Sequence, residues 1–420
     1  MDFHSQNKKK KTKERSSNLE NFIFISPNYP QGYWMFCRGL KEQGARVLAV
    51  IDTDYNALAP ELIANFDECY KVSSFHNYDE VYRAVAYFAA KYGKPDWIES
   101  NNEAWLDLDA KLRDDFNVKS GFSYEQIEEF QSKAAMKAYY QKAGIPVAPY
   151  ILPKTLEEAK AFAEVHGWNL VLKPDHGVGA SFTWHIHNPE ELEKYWIESQ
   201  ALCLQMILEK FITGNVVTLD GLADADGNIR FLGGMNYVSN CMDSVQNHDS
   251  IGCYYNFEIS PERHQLAQNV VSAFGIKSRF FHGEYFELTE DQPGIGSTGD
   301  LCALEMNFRP PGGFCPDLIN YSFDTDIYRL WGKVLLTNEC DVQETAPYSA
   351  GFVGRRSGVD YINSLEMLMS KYKTELLGVE VLPPAFASAM GDVTIKARFT
   401  TPERRDEFFA DSFARRISEN

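Results

Sequence analysis

Three side chains at alternate positions, Glu305, Asn307 and Arg309, hold the densest chemistry in this 420-residue chain. They lie in Leu304-Glu305-Met306-Asn307-Phe308-Arg309, a run that stops at Pro310-Pro311-Gly312-Gly313. In an extended strand residues i, i+2 and i+4 share a face, so the spacing predicts a carboxylate, a carboxamide and a guanidinium aimed into one site. The first two are oxygen ligands for a hard cation, and the third is a fork that grips phosphate or acyl phosphate oxygens through paired hydrogen bonds. Magnesium binds through one or two carboxylates plus substrate phosphates. The set therefore predicts a metal-nucleotide site.

A second acidic strand, Phe280 to Glu287, precedes it across the turn-rich stretch Thr289 to Asp300. Parity divides its carboxylates: with Glu284 on the cation, Glu287 faces the other side of the sheet. Upstream, Lys173 ends the apolar run Leu170-Val171-Leu172 and precedes Pro174. A charge at the end of a core strand is costly without a partner, and an anion there would relieve the cost. Gly177-Val178-Gly179-Ala180-Ser181 follows. A Gly-X-Gly loop lets backbone N–H groups approach a phosphate with no Cβ in the way.

In order and spacing these segments resemble the ATP-grasp superfamily, in particular its carboxylate-amine ligases, over about residues 20 to 335. The resemblance makes Lys133, which alone reads as an exposed helix lysine, the first nucleotide-binding lysine, and Lys173 the second. It makes Gly177, Gly179 and Ser181 part of a loop that covers the phosphates. Glu209, Lys210, Phe211 and Ile212 look like the hinge whose backbone meets adenine. Glu284, Glu305 and Asn307 match the metal positions, and Arg309 with Lys173 would offset charge during catalysis. One departure is Val216, where many members carry a glutamate for the ribose hydroxyls. Asp220 stands to take over that role or to serve the other substrate, and closing a turn is the equal alternative. The implied cofactors are ATP and magnesium or manganese, and the implied partners are a small-molecule carboxylate and an amine. The implied reaction joins them through an acyl phosphate, releasing ADP and phosphate. A carboxylase or carbamoyl-phosphate type enzyme, or an ATP-binding protein without catalysis, are the alternatives.

Around these residues the first segment alternates strand and helix signals: Phe22 to Ile25, Tyr33 to Gln43, Arg46 to Asp52, Asp79 to Tyr92, Trp97 to Ser100 and Glu103 to Phe116. Such alternation predicts a parallel sheet covered on both faces. Ligands of these folds gather at the carboxyl ends of strands, which makes Glu99, Asn101, Asn102 and Glu103 candidates for the non-nucleotide substrate; capping the next helix is the alternative. The expected fold class is α/β and α+β. It comprises a basic tail (1–18), a Rossmann-like parallel-sheet domain ahead of the nucleotide cleft (19–122), two ATP-grasp subdomains (123–215 and 216–340) and a small α+β cap (341–420). Arg355 and Arg356 in the cap read as surface charges.

Composition limits the alternatives. A net charge of −18 argues against a nucleic-acid surface. The one basic run, near Lys8 to Arg15, sits in a polar segment without the apolar core of a signal peptide. No apolar stretch is long enough for a membrane span, which points to the cytoplasm. The eight cysteines contain no CxxC pair and read as reduced core residues. Gly294 to Gly299 satisfies G-x-G-x-x-G but neither follows a parallel strand nor opens a helix, so it reads as a hairpin loop. His185 and His187 lack the further ligands of a zinc site. The expected assembly is a monomer or a homo-oligomer.

Overall fold

A computed structural model describes residues 19–177, 182–238 and 249–416. A parallel sheet leads the chain: β1 (Asn21–Ile25), β2 (Arg46–Ile51), β3 (Glu68–Lys71) and β4 (Trp97–Glu99), in the order β3-β2-β1-β4. After the opening Asn21 and Arg46 its inner strands are apolar at every position because both faces are covered. Phe22, Phe24, Val47 and Ala49 pack into one layer, and Ile23, Ile25, Leu48 and Val50 into the other.

A small antiparallel sheet follows: β5 (Tyr150–Ile151), β6 (Leu170–Pro174), β7 (Trp184–Ile186) and β8 (Met206–Lys210), ordered β5-β8-β6-β7. Leu170, Leu172 and Leu208 bury one face of it against Ala159, Phe162 and Leu192 of the helices Leu156–His166 and Pro189–Gln200. The opposite face, at Val171, Lys173 and Glu209, turns to the cleft.

The third sheet has eight strands: β9 (Gly214–Ala223), β10 (Ile229–Tyr237), β11 (Ile251–Tyr255), β12 (Arg279–Leu288), β13 (Leu301–Asn307), β14 (Ser349–Arg355), β15 (Leu376–Val381) and β16 (Val393–Phe399). Their order is β13-β12-β9-β10-β11-β14-β16-β15. The segment expected to form a separate cap thus continues this sheet, because β14 pairs antiparallel with β11 from Ile251↔Gly354 to Tyr254↔Gly351. Arg355 and Arg356 are accordingly not surface charges. Both are buried, Arg355 donating to the Asn363 carbonyl and Arg356 to that of Asp249.

The parallel sheet docks on the large one through aromatic packing. Trp331, fully buried on helix Ile327–Thr337, meets Phe22 at 5.4 Å, Phe36 at 5.1 Å and Phe280 of β12 at 6.5 Å. That helix lies against helix Trp34–Glu42 at Gly39 and Gly332. A Cβ on Gly39 would stand 2.4 Å from the Tyr328 carbonyl oxygen, so the two backbones approach only because both residues lack one. This contact and a buried ion pair, Glu99 to Arg279 at 2.6 Å, fix the first sheet relative to β12.

Candidate active site

A cavity of about 380 Å³ lies between the small sheet and the large one. One wall carries the cations. Helix Lys133–Lys142 begins at Ser132, whose side chain accepts from the Ala135 N–H, and residues four apart share a helix face. Lys133 and Lys137 therefore both enter the cleft. Lys133 is buried, not exposed as its sequence context alone suggested, and its ammonium donates to the Gly177 carbonyl at 2.7 Å. Lys173 is not a charge without a partner: it sits 2.8 Å from Glu209, which Lys137 also reaches at 2.8 Å. Burial alone would raise the Glu209 carboxyl, but the Lys173 and Lys137 charges outweigh it and hold it down to about 2. Sequence reading missed Lys137; its only signal was the four-residue spacing from Lys133.

The opposite wall is acidic. In the β12–β13 ladder Glu284 stands directly across from Glu305, and His282 across from Asn307. Like charges directly opposite in a sheet repel. Burial, reinforced by the neighbouring Glu284, pushes the Glu305 carboxyl up against the pull of Lys133 and Lys173. Asn307 adds a neutral oxygen two residues along the same face. Among the described residues no group of three or more His, Cys, Asp or Glu forms a metal cage. Two carboxylates and a carboxamide suit a magnesium ion that takes its other ligands from phosphates and water, so the donor set fits the metal expected. Glu287, on the other face, pairs with Arg263.

Four further positions depart from expectation or sharpen it. Arg309 lines the cavity, and its Nε donates to Glu103 Oε2 at 2.7 Å, joining the first sheet's C-terminal loops to the acidic wall. Glu99 is spent structurally on Arg279 and, at 3.4 Å, on Arg113, so it is not a substrate ligand. Asn102 caps a short helical turn through the Ala104 N–H, and the Asn101 carbonyl accepts from Tyr33. Asp220 is buried beneath the cleft and does not line it. It accepts from Thr218 and Tyr255 on Oδ2, at 2.8 and 2.6 Å, and holds His282 Nδ1 at 2.5 Å on Oδ1. That leaves Val216, Phe286 and Tyr237 along the wall between hinge and acidic pair, with no carboxylate among them.

The hinge Glu209 to Ile212 borders the cavity. The Lys210 and Phe211 N–H groups are engaged by the carbonyls of Pro149 and Asn169, at 2.9 and 3.0 Å. His185 lies against the Phe211 ring at 4.3 Å and meets Asn169. Gly177 adopts φ +133, a conformation that favours glycine, as the chain enters the loop. Gly179 and Ser181 lie outside the described residues. Of the described cysteines, Cys37, Cys253, Cys302 and Cys315 are buried and Cys203 is exposed; Cys241 is not among them.

Known proteins resemble this chain in sequence over part of its length and in fold over most of it. Residues 132–274 match the family model for the carbamoyl-phosphate synthase L chain, ATP binding domain. The L-arginine-specific L-amino acid ligase of Bacillus subtilis is 27% identical over 57% of this chain and 57% of its own length. The carbamoyl phosphate synthase large chain of a Thermoanaerobacter species is 28% identical over 52% of this chain and 20% of its own. The match thus spans little more than half of the first relative and a fifth of the second. Among solved structures, an L-amino acid ligase from Bacillus licheniformis superposes with a TM-score of 0.67 at 17% identity, covering 96% of this chain and 100% of that one. The chain has the ATP-grasp fold. A second ATP-grasp neighbour is the biotin carboxylase domain of a Hydrogenobacter thermophilus 2-oxoglutarate carboxylase, solved with MgADP and bicarbonate. It gives a TM-score of 0.67 at 17% identity, over 94% of this chain and 90% of its own. In ATP-grasp terms the small sheet and the large sheet are the two halves that face each other across the cleft. No helix among the described residues is long and apolar enough to cross a membrane.

Proposed function

We propose that this protein is an ATP-dependent carboxylate-amine ligase acting on amino-acid-like substrates. One observation carries the reading: the paired carboxylates Glu284 and Glu305 face a wall on which Lys137 and Lys173 share the single carboxylate of Glu209 and Lys133 adds a third ammonium. Excess positive charge on one side suits phosphates, and excess negative charge on the other suits a cation. A magnesium ion held by Glu284, Glu305 and Asn307, or manganese in its place, would supply charge neutralisation at the phosphates when bound. The base would lie at Glu209 to Ile212, with the contacts falling to Ile212 and to carbonyl oxygens.

The chain's own groups would then act by position and charge. A substrate carboxylate oxygen attacks the γ-phosphorus in line, the bond to ADP breaks, and Lys173 and Arg309 offset the charge that develops. The amine nitrogen attacks the acyl carbon, phosphate departs with one former carboxylate oxygen, and the amine loses a proton. Arg309 donates its Nε to the carboxylate of Glu103, a partner that a substrate carboxylate or its acyl phosphate would replace. Lys133 and the loop from Gly177 through Gly179 to Ser181 would cover the phosphates and exclude water. A reaction that draws on ATP fits the cytoplasm.

ADP release measured with magnesium, ATP and a panel of single and paired amino acids tests this. A pair-dependent signal, with a product lighter than the two reactants together by one water, is expected. The family model's carbamoyl-phosphate description favours one rival, in which bicarbonate replaces the amino acid. ADP release that depends on bicarbonate or ammonia and ignores amino acids would establish that rival instead.

A further inference from the structure

The acidic wall contains a histidine that the ligase reading leaves without a task. His282 is buried on β12, two residues before Glu284 and on the same face. Its Nδ1 lies 2.5 Å from Asp220 Oδ1, and its Nε2 lies 3.1 Å from Glu284 Oε1. Asp220 is in turn immobilised, since its other oxygen accepts from the Thr218 and Tyr255 hydroxyls. An ionised carboxylate only accepts, so the imidazole is an N–H bridge between a fixed anchor and the acid that faces Glu305. The chain Tyr255, Asp220, His282, Glu284 runs across β11, β9 and β12 and ends at the cleft.

We propose that His282 is a positioning residue: anchored by Asp220, it orients the Glu284 carboxylate, occupies Oε1 and leaves Oε2 for the cation. The inference rests on reading Glu284 as a metal ligand. Carboxylates that ligate metals are themselves held by hydrogen bonds, and losing such a partner typically lowers metal affinity about 10- to 100-fold. Here the ladder also sets Glu284 opposite Glu305, whose charge pushes it away. Without His282, Glu284 would turn from the pair.

The two nitrogens can be separated by substitution. His282→Asn keeps a donor near Nδ1, for Asp220, and His282→Gln keeps one near Nε2, for Glu284. Binding of manganese(II) to the full chain with ADP, followed by electron paramagnetic resonance, is expected to weaken about 10- to 100-fold in H282N and far less in H282Q. ADP binding in EDTA should be unchanged in both. On a Glu284→Gln background, H282N should cost nothing further, because the residue acts through Glu284. Wild-type manganese affinity in H282N, equal losses in N and Q, a matching loss of ADP binding in EDTA, or additive losses on E284Q would each overturn the proposal. If E284Q itself keeps manganese affinity, the metal reading falls and this inference with it. If E284Q loses manganese and H282N does not, only the inference falls. Should the histidine variants fail to fold, Tyr255→Phe loosens the anchor with His282 in place. A smaller loss of manganese affinity is then expected, and no loss would overturn the proposal.

Discussion

The two walls of the cleft handle charge in opposite ways. On the small-sheet side the charges are settled inside the protein: Lys137 and Lys173 flank Glu209, each at 2.8 Å, and Lys133 rests on the Gly177 carbonyl. On the large-sheet side Glu284 and Glu305 are placed face to face with repulsion left in the ladder. The first wall is organised before any ligand arrives, which lowers the cost of binding. The second is completed only when something positive lies between the acids. A cleft of this kind favours nucleotide and metal together over either alone.

Breaking the second wall should have the largest effect. Glu305→Gln removes one of the opposed charges and a proposed metal ligand, and ATP turnover measured by ADP release should fall by roughly 10²- to 10³-fold. Unchanged turnover would remove Glu305 from the metal site. Arg309→Ala removes the guanidinium proposed to offset charge on the phosphoryl group. A fall of about 10²-fold in kcat is expected, with ADP affinity largely kept, which separates it from a binding residue.

The first wall should respond through stability and binding. Lys137→Met leaves Glu209 with Lys173 alone, and an unfolding titration should show a loss of about 1–3 kcal/mol, with weaker ATP binding and a smaller change in kcat than E305Q causes. The pH dependence has a definite sign. Glu209 is held at about 2 in the fold against an ordinary value of 4.5, so it binds protons more readily unfolded. Its contribution to stability is complete above about 4.5 and is lost as pH falls from there towards about 2. Glu209→Gln should remove that acid-side loss. The smallest effect is expected from Glu287→Gln, on the far face of β12, which should change stability by about 0.5 kcal/mol or less and leave turnover intact.

How far each region could be read in advance follows from the range of the interactions involved. The cavity-facing positions of Glu305 and Asn307 were legible because strand alternation is a local rule, and that of Glu284 followed from the same parity, whereas Arg309 lines the cavity from just beyond the end of β13 at Asn307. The eight-stranded sheet was read only in part. Nothing near Gly351 announces that β14 will pair with β11, about a hundred residues earlier, so the last strands looked like a separate cap. Glu99 was misread for the same reason, since its partner Arg279 lies 180 residues on. Lys137 and His282 escaped notice because a lysine in a helix and a histidine in an aromatic strand are ordinary locally. Asp220 looked like a ligand or a turn former, and its use as an anchor depends on Tyr255 and His282, from other strands.

The central claim is that a carboxylate is activated by phosphoryl transfer in this cleft. Its most direct test is to supply the amino acid that gives the strongest ADP release with both carboxylate oxygens replaced by ¹⁸O, then analyse the phosphate by mass spectrometry. An acyl phosphate route predicts one ¹⁸O in each released inorganic phosphate and one retained in the amide. Amide formation with unlabelled phosphate, or with the label in a nucleotide, would contradict it.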